Sequence, residues 1–379
     1  MFKNLTLYRI APTFTADLAT VEAALQTATF TPCGPTQGKS IGWVPPRGEA
    51  HGPLVESVAG QWIARLMIET KSVPGSVVRK HAQAEADRIE AETGRKPGKK
   101  EMKALREDAL LALLPAAHPR ECAIWVWINM ETRLLAIDAT SPGKLDEVVT
   151  ALVNAFRDLS VTMLQTQVTP QTGMTQWLSA TDPAEWPGEF SIERECELKS
   201  GDEEKSVVKF SRHNLATDEI RKHITEGKLP TKLAMSYAGR VGFLLTEGLQ
   251  LKKIAYLDGV FDGRDKSEAD GFDTDVTLAT GEMLKLVPDL IEALGGEMVI
   301  AAGQPVAPGA APAVYIDGQP DPLLDQARDL VIKDRKPSIS YIQRKLQIGY
   351  NRAARLLEDL ETLRVVGPMN ASGVREVLA

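Results

Sequence analysis

The chain has 379 residues, 43% of them hydrophobic and 25% charged, which is typical of globular proteins and excludes a disordered chain. The formal net charge of −7 excludes a polybasic coat, so a nucleic-acid site would have to be a local basic surface on an acidic molecule. Three cysteines are too few and too scattered for a disulfide framework or a zinc knuckle, and we expect neither a cofactor nor a metal.

The distribution of apolar residues indicates neither a membrane span nor a signal peptide. No apolar run reaches the length of a membrane span, and the first residues lack the basic and apolar regions of a signal peptide. We therefore expect a cytoplasmic protein with no membrane partner.

The first three quarters of the sequence mix strands and helices without a regular βαβ alternation. Strands are predicted over Leu5–Ile10, Trp62–Ile68, Ile124–Ile128, Leu134–Ile137, Val207–Phe210, Leu229–Tyr237, Val241–Leu245, Leu251–Leu257 and Val276–Leu278. Helices are predicted over Pro74–Glu92, Pro97–Leu114, Leu145–Leu159 and Met283–Leu294. Strands separated by turns, with helices between them, predict an α+β fold with antiparallel sheets.

A linker divides the chain. Between Ala301 and Val314, 11 of 14 residues are Ala, Pro or Gly, a composition that has no apolar face to bury and cannot hold a helix. We predict a body over 1–297, a flexible linker over 298–320 and a second domain over 321–379. The last 59 residues carry ten Lys or Arg and eight Asp or Glu, a net +2, so the remainder, with 34 and 43, carries −9.

The C-terminal domain has the pattern of a winged helix-turn-helix. A first amphipathic helix is followed by Ser338, which can cap a second helix over Ile339–Leu346. A turn containing Gly349 leads to a third helix over Asn351–Leu363. Two short apolar segments that flank a polar loop then predict a two-stranded wing.

The third helix carries a polar face suited to the major groove. Asn351, Arg355 and Glu358 are spaced i, i+4, i+7 and share one side of the helix. Asn can pair with adenine, Arg with guanine and Glu with cytosine, so these three are the predicted base-reading residues. The predicted phosphate contacts of this domain are Arg344, Lys345, Arg352 and Arg375. The pattern alone leaves open a solvated amphipathic helix with an Arg355–Glu358 ion pair.

Specific residues of this domain resemble a known family. Ser338-Ile339-Ser340, Gln343-Arg344 and the run from Ile348 to Arg355 resemble the gamma domain of the FtsK DNA translocase. The resemblance implies recognition of short G-rich polar DNA motifs through the positions of Asn351, Arg355 and Glu358, and a contact with a tyrosine recombinase. The chain contains no motor, so the domain cannot steer translocation of its own polypeptide.

The body resembles a second family. The segments that carry this resemblance are Phe2–Leu5, Phe30–Gly34, Gly42–Pro46, Leu113–Pro115, Thr231–Ala234 and Leu290–Glu297. Together they are similar to RdgC, the recombination-associated protein, over about residues 1–297. The resemblance implies a ring-shaped homodimer that encloses duplex DNA without sequence preference, restrains the RecA recombinase and associates with the nucleoid.

A basic DNA channel is implied by the same resemblance. The predicted backbone contacts of the body are Lys99, Lys100, Lys103, Arg212 and His213. Lysines that merely solvate a helix are the alternative, since most charge runs do so. After Leu113–Pro115 the family tends to place a large aromatic residue at the dimer gate, and this chain has His118, which permits a weaker ring contact or a simple loop histidine.

Two other functions stay open at this point. The acidic stretch of Asp262, Asp265, Glu268, Asp270, Asp273 and Asp275 offers carboxylates that a metal-dependent nuclease would use, although a solvated loop fits their spacing better. An interaction module for a tyrosine recombinase is the other alternative. The favoured interpretation is a non-catalytic protein that binds double-stranded DNA and modulates homologous recombination.

Overall fold

The computed structural model describes residues 1–156, 158–182, 186–201, 205–257, 260, 271–298, 323–346, 353, 356–357, 359–361, 363–367 and 375–378. The strands are β1 (Leu5–Ile10), β2 (Lys39–Val44), β3 (Val55–Val58), β4 (Gln61–Lys71), β5 (Pro119–Asn129), β6 (Leu134–Ile137), β7 (Val161–Met163), β8 (Phe190–Ser200), β9 (Val207–Ser211), β10 (Lys228–Tyr237), β11 (Val241–Thr246) and β12 (Gln250–Tyr256). The helices are α1 (Leu18–Gln26), α2 (Gly75–Thr93), α3 (Lys99–Leu113), α4 (Pro142–Ala155), α5 (Pro170–Ser179), α6 (Asp218–Thr225), α7 (Gly271–Ala293), α8 (Leu324–Asp334) and α9 (Ile339–Leu346).

One antiparallel sheet of twelve strands organises the body. Its order is β2-β4-β5-β6-β1-β12-β11-β10-β8-β9, with β3 beside β4 and β7 beside β1. The sequence predicts more than one antiparallel sheet. In the structure β1 pairs with β12 through Leu5 and Leu251, and this pairing joins the strands from β2 to β1 and the strands from β12 to β9 into a single sheet. The α+β class with antiparallel pairing is confirmed.

Strand β1 is buried on both of its faces. Leu5 and Leu7 point into a core shared with α5 and α7, whereas Tyr8 and Ile10 point into a second core beneath α1 and α4. The alternation follows from the period of two along a strand. A strand buried on both faces explains why apolar residues of this segment occupy both odd positions, Leu5 and Leu7, and even positions, Tyr8 and Ile10.

The long helix α7 corrects one prediction. The strand predicted over Val276–Leu278 is wrong, because these residues lie inside α7, which begins at Gly271 instead of Met283. Val276, Met283, Val287 and Leu290 are all buried and keep one helical face turned to the core. A three-residue apolar run is too short to distinguish a helical period from a strand.

Helix α4 begins and ends earlier than predicted. Pro142 occupies its first turn, where a missing N–H costs nothing, so the helix begins three residues before Leu145. It ends because Phe156 adopts an extended conformation, with φ −127° and ψ 105°. Leu159, the predicted last residue, is still buried, but in the loop beyond the helix.

Helices α2 and α3 form an antiparallel hairpin. Both elements were predicted, and each lies within two residues of its expected bounds. Their buried residues are Ala82 and Ala86 on α2 and Ala109 on α3. Small side chains allow a close helix pair but bury little apolar area, which leaves most of the hairpin surface in water.

The C-terminal domain has its own core. Ala327 and Val331 of α8 pack with Ile342 of α9 and with a group of helical residues after it. As predicted, Ser338 caps α9, since its Oγ accepts the N–H of Tyr341 at 3.2 Å. Val366 and Val377 form an antiparallel bridge, which is the predicted wing pairing. The predicted linker, from 299 onward, lies outside the described residues.

Candidate nucleic-acid interface

The basic head of α3 combines paired and unpaired cations. The Arg95 guanidinium donates to both oxygens of Glu101, and Glu101 also accepts the N–H of Gly98 at 3.0 Å, which caps the helix. Lys103 lies 3.8 Å from Glu107. Lys99 and Lys100 are exposed and have no carboxylate partner among the described residues.

The position of Lys99 and Lys100 is unfavourable for the helix itself. They occupy the first turn of α3, where the helix dipole disfavours positive charge by about 0.3–1 kcal/mol per group. Arg106, one further turn along, is also exposed and has no ion pair within the described part of the chain. Together these three side chains form a local positive surface that can accept phosphates.

A second positive site follows β9. Arg212 is exposed and adopts a left-handed backbone conformation, with φ +56°. His213 is half-buried against Phe210, and its Nδ1 lies 2.7 Å from the carbonyl oxygen of Asn214. Its Nε2 lies 3.9 Å from Glu219 of α6, so the imidazole is held between this loop and α6. The exposed guanidinium of Arg212 is therefore the better placed of the two for a phosphate.

Arg194 is a cation that the sequence analysis missed. It is exposed on β8, and its carbonyl oxygen accepts the N–H of His213 at 3.2 Å, which brings it beside the loop that carries Arg212. No ion pair of Arg194 is found among the described residues. The contact joins residues almost twenty positions apart, so no local sequence pattern signals it.

Two other lysines of the sheet share one carboxylate. Lys209 and Lys232 both pair with Glu197, at 3.3 and 2.9 Å. Burial opposes ionisation of Glu197, but hydrogen bonds from Lys232, Thr231 and Lys209 outweigh it and lower the pKa of this carboxyl to about 2. This cluster stabilises the strand pairing of β8, β9 and β10, and its one carboxylate offsets one of the two lysine charges.

His118, the predicted gate residue, is exposed just after the 3-10 turn Leu114–Ala116. The same hairpin exposes large apolar side chains on α2 and α3: Val77 is 45% exposed, Leu110 38% and Leu111 48%. An exposed apolar group on an otherwise charged hairpin is typical of a protein–protein contact. The gate role of His118 stays a prediction.

The C-terminal domain is described only in part. The predicted base-reading residues Asn351, Arg355 and Glu358, and the predicted phosphate contact Arg352, lie outside the described residues, as does the side chain of Arg344. The predicted packing residues of the third helix, Ala353, Leu356, Leu357 and Leu360, are at most 2% exposed. The helical period predicts that these four residues lie on the apolar face, away from the predicted base-reading residues.

Two further phosphate candidates of this domain are described. Lys345, on α9, is exposed. Arg375 donates to Glu361, and its side chain is only 12% exposed, so its guanidinium connects the wing to the third helix. A phosphate contact by Arg375 would have to compete with this ion pair.

Only part of the acidic stretch lies within the described residues. Asp262, Asp265, Glu268 and Asp270 lie outside the described residues, whereas Asp273 and Asp275 belong to α7. Asp273 pairs with Arg47, whose guanidinium also lies over the ring of Phe272. No group of three or more potential metal ligands occurs within the described part of the chain, and none of its helices is long and apolar enough to cross a bilayer.

The described residues thus define a two-part protein. A body built on one antiparallel sheet carries local clusters of unpaired cations, and a small helical domain closed by a β bridge follows it, an arrangement typical of nucleic-acid-binding proteins. The chain belongs to the RdgC family: the family profile described as "Putative exonuclease, RdgC" matches residues 1–297. A second profile, "Ftsk gamma domain", matches residues 318–379.

Individual relatives are similar to the body alone. The "Recombination-associated protein RdgC" of Dechloromonas aromatica is 40% identical over 306 residues, which is 79% of this chain and 99% of the relative. The proteins of the same name from Herminiimonas arsenicoxydans and Cupriavidus necator are 38% and 40% identical over 299 residues, 78% of this chain and 98% of each relative. These relatives match almost completely, so the FtsK gamma domain is an addition to what they contain.

Proposed function

We propose that this protein binds double-stranded DNA without cleaving it and modulates homologous recombination by restraining RecA. The observation that carries the proposal is the pair of unpartnered lysines, Lys99 and Lys100, at the head of α3 in a chain of the RdgC family. Cations kept at an unfavourable helix end and not paired with a carboxylate suit the phosphate backbone. The protein would act on the nucleoid in the cytoplasm.

The body acts as a ring-shaped homodimer in this proposal. The exposed apolar residues of the α2–α3 hairpin lie where α2 begins and α3 ends, opposite the turn between the two helices. Together with the adjacent His118 they support a contact between two copies at that end of the hairpin. A closed ring would retain DNA topologically, so the protein should dissociate from a covalently closed circle more slowly than from a linear duplex of the same length. Equal dissociation rates from both would contradict enclosure.

The C-terminal domain adds sequence preference. Its match to the FtsK gamma profile supports the reading of short G-rich motifs by Asn351, Arg355 and Glu358, with Arg344, Lys345 and Arg352 on phosphates. Two DNA-binding modules in one chain raise each other's effective concentration on the same DNA, which would place the body near such motifs. Footprinting duplexes with and without a G-rich polar motif tests this. Equal protection of both, unchanged by deletion of residues 321–379, would contradict it.

RecA restraint is tested with RecA-promoted strand exchange. The protein should slow the reaction when added to the duplex partner first, because it occupies the phosphates that the RecA filament must reach. The Lys99→Ala/Lys100→Ala variant should restrain the reaction less at the same concentration. Full inhibition by this variant would separate RecA restraint from duplex binding.

Two alternatives make different predictions. The description of the matching family includes an exonuclease, and the acidic stretch around Asp262–Asp275 is the place where a metal-dependent nuclease would hold its ion. Incubating supercoiled and linear DNA with Mg²⁺ or Mn²⁺ decides this, since our proposal expects both to stay intact. If the C-terminal domain instead serves to contact a tyrosine recombinase, Arg355→Ala should leave function unchanged.

A further inference from the structure

A cavity of about 320 Å³ lies where β9 ends beside β8. Ser211, the last residue of β9, pairs with Glu195, so the stretch of β8 before Glu195 has no strand on that edge. The chain after β9 crosses this gap instead, anchored by the His213 N–H on the Arg194 carbonyl. The cavity is thus a notch in the edge of the sheet, open to ligands of small-molecule size.

Trp186 gives the notch an aromatic wall. Its ring is partly buried, packs against the main core on one side and lines the cavity. The indole Nε1–H is buried and has no hydrogen-bond partner within the described part of the chain. Because this atom is not accessible to solvent, the notch offers a ligand the indole ring and not this N–H.

Positive and polar side chains surround this wall. Arg194 lines the cavity and Arg212 lies on the loop that crosses it, both exposed and without an ion pair among the described residues. Asn214 uses its Oδ1 to accept the N–H of Ala216 at 3.1 Å, which leaves its amide N–H groups available. The Glu193 carboxylate is fixed on the wall by the Ser236 hydroxyl, 2.8 Å away.

We propose that this notch binds one unstacked base of single-stranded DNA, with the flanking phosphates on Arg194 and Arg212. An aromatic ring, two guanidinium groups and an amide are the groups that proteins use to stack, neutralise and read a splayed-out nucleotide. A base within a duplex would first have to be unpaired and unstacked, which single-stranded DNA does not require. The site adds single-strand binding to the proposed duplex binding and does not depend on a closed ring.

The test uses the full chain and two single strands of equal length, oligothymidylate and its abasic counterpart, which share phosphates but differ in bases. Fluorescence anisotropy should show that the base-bearing strand binds at least about five-fold more tightly. Trp186→Ala should abolish this difference, whereas Trp186→Phe, which keeps an aromatic ring, should retain most of it. Equal affinity of the wild-type protein for both strands would overturn the proposal.

A second variant guards against a folding defect of Trp186→Ala. Asn214→Ala alters an exposed, uncharged side chain, and it should weaken oligothymidylate binding while leaving duplex binding nearly unchanged. Lys285 is exposed on α7 and does not line the notch, so Lys285→Ala is the matched control and should change neither affinity. If the notch variants weaken duplex and single-strand binding equally, the notch is only part of a general phosphate surface and the proposal fails. Loss of duplex binding alone would contradict the proposed function and leave this site intact.

Discussion

The guanidinium of Arg95 donates to both carboxylate oxygens of Glu101, at 2.8 and 3.0 Å, across the turn between α2 and α3. This pair neutralises one cation of the basic cluster and fixes the turn, while Lys99 and Lys100 between them stay unpaired. The positive surface of the hairpin is therefore smaller than its count of basic residues suggests.

Replacing both Lys99 and Lys100 by Ala should weaken duplex binding and make it less dependent on salt. Each phosphate contact contributes about 0.9 to the slope of log affinity against log salt, so the slope should fall by about 2. Salt-titrated fluorescence anisotropy measures it, with Lys285→Ala as the control. An unchanged slope would indicate that the two lysines only solvate the helix.

Arg355→Ala should cost about 1–3 kcal/mol on a duplex with a G-rich motif and little on a scrambled duplex. The physical reason is the loss of a bidentate hydrogen bond to one guanine. Arg328 of the same domain pairs with Asp325 and Asp329, so Arg328→Ala is a suitable control and should leave the preference unchanged. Equal loss on both duplexes would make Arg355 a phosphate contact.

The stabilisation that ionised Glu197 gives the body should be lost in acid. The folded state holds the pKa of this carboxyl at about 2, below its ordinary value of 4.5, so the stabilisation is present above pH 4.5 and is lost as the pH falls towards 2. Urea unfolding of Glu197→Gln and wild-type protein should therefore differ at neutral pH and converge in acid. Glu195→Gln should change less, because its side chain is 45% exposed and water screens its ion pair with Lys253.

Two glycines, Gly42 in β2 and Gly281 in α7, test how tightly the backbone is packed at each position. A Cβ on Gly42 would lie 2.3–2.8 Å from backbone atoms of Thr29 and Phe30, so Gly42→Ala should destabilise the protein by about 3 kcal/mol. A Cβ on Gly281, within α7, would meet no atom of another element within 4 Å, so Gly281→Ala should instead stabilise the protein by about 0.5–1 kcal/mol. Denaturant midpoints that move in the same direction for both variants would contradict this packing.

Some elements of the fold were predictable with their bounds. The strand Leu5–Ile10 and the helix Ile339–Leu346 have the bounds that the sequence predicts. Helix α1, with an exposed outer face and two buried residues, Val21 and Leu25, was missed because so short an apolar stripe barely rises above a loop pattern. Joining of the sheet through Leu5 and Leu251 depends on tertiary contacts that no local pattern encodes.

The candidate site was predictable only as a list of cations. Charge runs identified the head of α3, but not that Glu101 and Glu107 engage Arg95 and Lys103. Arg194 and Trp186 could not be found from sequence, because their roles depend on where β9 ends beside β8. Ion pairing and edge geometry are three-dimensional properties, and they decide which cations remain free for DNA.

Equilibrium binding of the full chain to a duplex without G-rich motifs, measured over a range of salt concentrations, tests the central claim most directly. The account predicts binding at low ionic strength, a logarithmic affinity that falls linearly with log salt, and DNA recovered uncut in the presence of Mg²⁺. Absence of binding at low ionic strength, or an affinity that salt does not change, would contradict it.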